Sequence, residues 1–130
     1  MFGGGLRPYR IEPINRGCVN TIVFLDQNPD GTWIDKTDKN LYLTCKTQPW
    51  DTDADDSDAV FKVVGNIPNP TKEPGRVVFT LSEQQSYLNP DQLYFVDIVE
   101  TDTDGGNANR LFIGNFSVVP GPNNEQAGGE

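Results

Sequence analysis

LYFVDIVETDTDGGNANRLFIGNFSVV, residues 93–119, is the stretch whose reading decides the fold. Its two ends, LYFVDIVE and RLFIGNFSVV, are rich in aromatic and β-branched side chains, which suit a pleated, half-buried strand. Between them TDTDGGNAN supplies Asp-Gly and Gly-Asn, the residue pairs that accept the positive φ of a tight hairpin turn. Two strong strands joined by a polar turn predict an antiparallel hairpin.

Outward from that hairpin the same signal repeats. NLYLTCKT places Leu41, Leu43 and Cys45 on one face and Tyr42, Thr44 and Lys46 on the other, the alternation of a half-buried strand. AVFKVV sets Ala59, Phe61 and Val63 against Val60, Lys62 and Val64, and RVVFTL turns Val77, Phe79 and Leu81 inward. CVNTIVFL is a further strand beginning at Cys18 and ending at the turn DQNPDGTW, while the proline-rich GNIPNPTKEPG interrupts the pattern. SEQQSYL predicts a single helical turn, with Ser82 as N-cap and Gln85 at the capping-box position. Short strands at this spacing, without helices of ten residues or so between them, predict an all-β fold. The expected architecture is an antiparallel two-sheet immunoglobulin-like sandwich of six to eight strands with an extended N-terminal arm; jelly-roll-like closure is the alternative.

A chain of 130 residues suffices for one hydrophobic core. The expected division is an extended N-terminal arm over 1–16, a β-sandwich domain over 17–120 and a flexible C-terminal tail over 121–130. The arm holds three consecutive glycines and two prolines, with Phe2, Leu6, Tyr9, Ile11 and Ile14 following no period, so it cannot bury its apolar side chains alone. It lacks the apolar stretch and small-residue cleavage site of a secretory signal. No window has the 18 or so apolar residues of a membrane helix. Synthesis in a cytoplasm is the expectation.

The sequence contains no histidine, so Ser-His-Asp and Cys-His mechanisms lack their general base. Cys18 and Cys45 read as buried thiols, and two cysteines without histidine cannot complete a tetrahedral zinc site from soft ligands. Charge is uneven: residues 1–16 carry +2 of the net −9, leaving −11 on the remainder. A body so acidic repels phosphate backbones, which argues for protein partners rather than nucleic acid.

Two acidic stretches imitate calcium loops. DQNPDG, 26–31, matches the opening of an EF-hand loop, but Thr37 stands where the bidentate glutamate belongs, and Pro29 suits a hairpin. DTDADDSD, 51–58, has Asp56 and Lys62 at the sixth and twelfth positions and reads as a solvated inter-strand loop, because carboxylates so close repel one another. Asp53 or Asp55 with Asp58 is the glycosidase-like pair weighed for an enzyme, and no enzyme activity, catalytic residue, metal or cofactor is expected. Trp33, Trp50 and Tyr42 could stack on sugar rings, which keeps a carbohydrate-binding module as a rival reading; as structural residues the tryptophans would be lids over the core ends.

Three stretches together resemble the immunoglobulin-like N-terminal domain of phage upper baseplate proteins. They are DGTWIDKTDKNLYLTC with DDSDAVFKV, then PGRVVFTLSEQQSYLNPDQLYFVDI with its V-x-F-x-L and Y-x-x-D-I, and RLFIGNFSVVPG with its G-x-F-x-V. The likeness spans about residues 17–120 and departs from the family at the proline-rich 66–74 stretch. It implies a bacteriophage virion structural protein without catalytic residues, made in the host bacterial cytoplasm and acting as an adaptor in the tail or baseplate. A capsid decoration, or cement, protein is the alternative. Expected partners are other virion structural proteins and further copies of the chain, with no nucleic acid and no membrane. The expected partner-binding residues are Phe2, Leu6, Arg7, Tyr9, Arg10 and Ile11, the apolar ones adding to a neighbour's strand edge and the arginines meeting acidic surface.

Overall fold

A computed structural model describes residues 9–47 and 59–120. Within them the strands are β1 (Tyr9–Arg10), β2 (Ile14–Asn15), β3 (Asn20–Leu25), β4 (Lys39–Lys46), β5 (Phe61–Val64), β6 (Arg76–Leu81), β7 (Tyr94–Asp102), β8 (Asn109–Phe116) and β9 (Val118–Val119). One sheet runs β1-β8-β7-β4-β5, a second is the antiparallel pair β3-β6, and β2 pairs with β9. All joins between the longer strands are antiparallel; the two short N-terminal strands run parallel to β8 and β9. The described residues form no helix, and the expected all-β class holds.

One apolar cluster joins the two longer sheets. Val77, Phe79 and Leu81 of β6 are fully buried, and so are Leu43 and Cys45 of β4 and Phe116 of β8. Each such side chain contributes about 1.5–3 kcal/mol by leaving water. The period-two readings of β4, β5 and β6 match the inward faces observed. The outward face of β4 differs: Thr44 and Lys46 are buried as well. As a central strand, β4 has neighbours on both sides there, Thr44 lying between Asp97 and Lys62 and Lys46 beside Phe95.

The local turn chemistry follows the sequence. In the β7–β8 turn Asp102 N–H donates to the Gly106 carbonyl, with Gly105 at φ +91° and Asn107 at φ +53°. At 82–86 the capping box is complete: Ser82 N–H donates to Gln85 Oε1 at 2.9 Å and Gln85 N–H to Ser82 Oγ at 3.1 Å. Ser86 then donates from Oγ to the Cys18 carbonyl, tying this turn to the residues before β3.

Two boundaries differ from expectation. Among the described residues Tyr9–Arg10 and Ile14–Asn15 are paired, so residues 9–15, assigned to the arm, lie along β8 and β9. Two-residue strands leave no period to read, and Ile14, which follows no period in the sequence, is only 2% exposed. Cys18 lies before β3 rather than in it, because Gly17 takes φ +79° and Cys18 N–H closes a turn onto the Asn15 carbonyl.

Candidate protein-interaction surface

Each sheet ends in strands whose outer backbone groups need partners, and the edges are finished differently. On β5 the Gly65 N–H donates to the Leu41 carbonyl in register with the β4–β5 ladder, so Phe61 and Val63 bond inward and Lys62 and Val64 face outward. Lys62 charges that edge, and a charged side chain disfavours stray strand pairing. On β8 the short β1 covers Gly114 and Asn115, and the strand ahead of them carries Arg110, ion-paired to Asp97 at 3.1 Å. On β6 the far side is occupied: Val78 exchanges both backbone bonds with Asn66.

Among the described residues β3 is finished by nothing of this kind. Because Val78 bonds to Asn66, the Val23–Val78 pair is one of the non-bonded pairs of the β3–β6 ladder. The Asp26 N–H to Gly75 carbonyl bond sets the same phase from the other end. Thr21, Val23 and Leu25 therefore direct their N–H and C=O groups away from β6, and β6 is the only strand paired with β3 among the described residues. Their side chains are exposed, Val23 by 44% and Leu25 by 52%. The outer face of the pair sets Thr21 beside Thr80, Val23 beside Val78 and Leu25 beside Arg76. Neither strand contains a carboxylate, on a chain of net charge −9. On the inner side Ile22 and Phe24 are half-buried, and Phe24 meets Phe112 of β8 with ring centroids 6.3 Å apart.

The end of the molecule beyond Leu25 is held by charge. Lys36 is 6% exposed, and its Nζ lies 2.6 Å from Glu100 Oε1 and 2.9 Å from Asp26 Oδ2. Burial works to lower the Lys36 pKa, but hydrogen bonds and charge from Glu100 and Asp26 outweigh it and hold the ammonium above its ordinary value. Lys36 N–H also donates to the Pro74 carbonyl, fastening the 26–36 hairpin to the residues before β6. Next to it Lys39 Nζ bonds Asp102 Oδ1 at 2.7 Å.

The EF-hand-like stretch is the hairpin that Pro29 suggested. Asn28 N–H donates to the Thr32 carbonyl, Gly31 takes φ +89°, and Asp30 Oδ1 accepts bonds from Thr32 N–H and Oγ1. Asp26, first of the six, is turned to Lys36. Among the described residues no group of three or more Asp, Glu, Cys or His side chains converges to hold a metal. Asp53, Asp55, Asp58 and Trp50 lie outside the described residues. Trp33 is half-buried with its ring beside Gly75, and Tyr42 lies under Lys62, whose Nζ is 4.9 Å from the ring centroid.

Of the expected partner-binding residues, Phe2, Leu6 and Arg7 lie outside the described residues. Tyr9 and Arg10 pair in β1 with Gly114 and Asn115, and Ile11 donates its N–H to the Asn115 carbonyl and packs half-buried on the core. The backbone of these three is thus engaged within their own chain. The open edge of β3 was not singled out in the sequence. The available signal was that NTIVFL is apolar on both faces and uncharged, which reads equally well as a strand covered on both sides. A scan against protein-family models finds no match, and a search of curated proteins finds none either.

Proposed function

We propose that the chain is a non-enzymatic bacteriophage virion structural protein, an immunoglobulin-like adaptor of the tail or baseplate that binds other virion proteins through its N-terminal segment and strand edges. The observation that carries this reading is the β3 edge. Among the described residues, three residues of β3 present backbone groups that no strand pairs, beside exposed apolar side chains, on strands without carboxylates. An extended segment of another protein adds to such an edge through main-chain bonds, with alternate side chains setting the register.

Two features support the immunoglobulin-like part. The order β8-β7-β4-β5 opposite β3-β6 corresponds to strands G, F, C and C′ facing B and E of that fold, with β1 beside G. Tyr94, at the start of the F-like strand, accepts a hydrogen bond on its hydroxyl from the Asn89 N–H at 2.9 Å, five residues upstream. A tyrosine in that place bonding back to upstream backbone is the tyrosine corner of these sandwiches. Cys18 and Cys45 are free thiols, so the B–F disulfide of antibody domains has no counterpart in them.

The test is a chain truncated to begin at Tyr9, which keeps every described strand. The adaptor reading expects it to fold and to be missing from, or strongly depleted in, phage particles assembled in its presence. Incorporation at the level of the full chain would remove the N-terminal segment from the proposal. Fractionation into heads and tails separates the adaptor from the capsid-decoration alternative, which places the chain on heads.

A further inference from the structure

We infer that β3 is a self-pairing edge, and that two copies of this chain join antiparallel through it about a two-fold axis at Val23. The two β3–β6 pairs then merge into one four-stranded sheet, β6-β3-β3-β6. This names one partner of the surface described above, and it stands on the edge geometry alone, whether or not the chain belongs to a virion.

The argument starts from the phase of the backbone. Outward groups at Thr21, Val23 and Leu25 are spaced by two residues and centred on Val23. An antiparallel copy therefore meets them in register. Val23 faces Val23 of the second copy, and Thr21 faces Leu25 of the second copy, each pair exchanging both of its bonds. A two-fold interface requires this kind of self-complementarity, in which the same patch serves on both sides.

Side chains agree with the backbone. On the outer face Val23 and Leu25, 44% and 52% exposed, would be covered by Val23 and Thr21 of the second copy. On the inner face the half-buried Ile22 and Phe24 flank the seam, so the apolar core runs from one copy towards the other.

Charge selects this edge over the others. Two molecules of net charge −9 repel at a distance, and any edge carrying carboxylates adds to the repulsion on contact. Neither β3–β6 nor β5 carries an acid, but self-pairing of β5 would bring Lys62 against its own copy, whereas Arg76 on β6 stands one strand away from the β3 seam; on β8 the short β1 covers Gly114 and Asn115, and Arg110 is paired with Asp97. The remaining repulsion is long-range and is screened over about 10 Å at 0.1 M salt. Association should therefore strengthen as salt is raised, opposite to an interface held by ion pairs.

A single strand edge is small, so the pair belongs to the weak class of interfaces, below about 1,200 Å². Sedimentation velocity on the purified full chain, up to about 1 mM, the weak limit appropriate to such an interface, reads it directly. The expected result is reversible dimerisation, stronger at high salt and weakened at least tenfold by Val23→Lys, with Val64→Lys on the β5 edge as the unaffected control. Register is read separately. Val23→Cys in a Cys18→Ser background should oxidise to a disulfide-linked dimer, since facing residues of a bonded antiparallel pair lie within disulfide reach; Val64→Cys in the same background should not. A wild-type chain monomeric throughout, a dimer indifferent to Val23→Lys, equal cross-linking at both positions, or a dimer lost when residues 1–8 are deleted would each overturn the inference. None of these outcomes depends on particles, so failure here is distinct from failure of the adaptor reading.

Discussion

Lys36 holds two carboxylates at the end of the molecule where the 26–36 hairpin meets β7, with its own side chain 8% exposed and those of Glu100 and Asp26 10% and 18%. Removing the cation leaves two acids facing each other with little water. Lys36→Met should cost about 3–5 kcal/mol, the usual penalty for breaking a buried pair from one side. Adding Glu100→Gln and Asp26→Asn should recover part of it, as equilibrium urea unfolding would measure. The pH dependence has a definite sign. A lysine whose folded pKa lies above its ordinary 10.5 contributes stability that is complete below that value and is lost as pH rises through the folded one. Wild type should therefore lose stability in strong alkali more steeply than Lys36→Met. Nothing in the sequence joined positions 26, 36 and 100, because an ion triad is a product of tertiary placement and has no local pattern. Gly75 was equally silent. A Cβ there would lie 2.5 Å from the Asp26 carbonyl oxygen and 2.6 Å from that of Ile34, so Gly75→Ala should destabilise by about 1–3 kcal/mol, the range for overpacking.

At the scale of elements, what was legible was what is local. The β7–β8 hairpin and the inward faces of β4, β5 and β6 follow from period and turn residues, and the capping box at Ser82 and Gln85 follows from residue type and spacing. Ser82→Ala should cost about 0.5–2 kcal/mol, since it removes an acceptor at the N-terminus of that turn. Tyr94→Phe should cost about 1 kcal/mol and leave the fold intact, since the Asn89 N–H loses its acceptor while the ring keeps its stack on Phe116. Thermal melts of the two variants against wild type check both values. The candidate site was less legible for a physical reason. Whether NTIVFL is a central or an edge strand depends on how many strands lie beside it, and its one partner among the described residues, β6, is remote in sequence. The pairing of Tyr9–Arg10 and Ile14–Asn15 was hidden too, because parallel contacts to β8 and β9 close across nearly the whole chain.

Across the whole molecule, acidity shapes stability and, in the proposed role, the choice of partner. Asp102 is held below the usual carboxylate value by its hydrogen bond from Lys39, aided by Asn107; Asp30 and Asp35 are lowered by their bonds from Thr32 and Thr37. For a carboxyl with a depressed folded pKa, the stability is present above the unfolded value of 3.8 and is lost as pH falls through the folded one. The melting temperature should fall below pH 3.8, and Asp102→Asn should flatten that fall. On so acidic a chain the β3–β6 face, whose strands carry no carboxylate and whose β3 edge no other described strand covers, is the basis of the proposed assembly role. Quantitative mass spectrometry of phage particles separated into heads and tails tests that role most directly. The account predicts this chain in fixed stoichiometry in the tail fraction; particles complete and infectious without it would contradict the account.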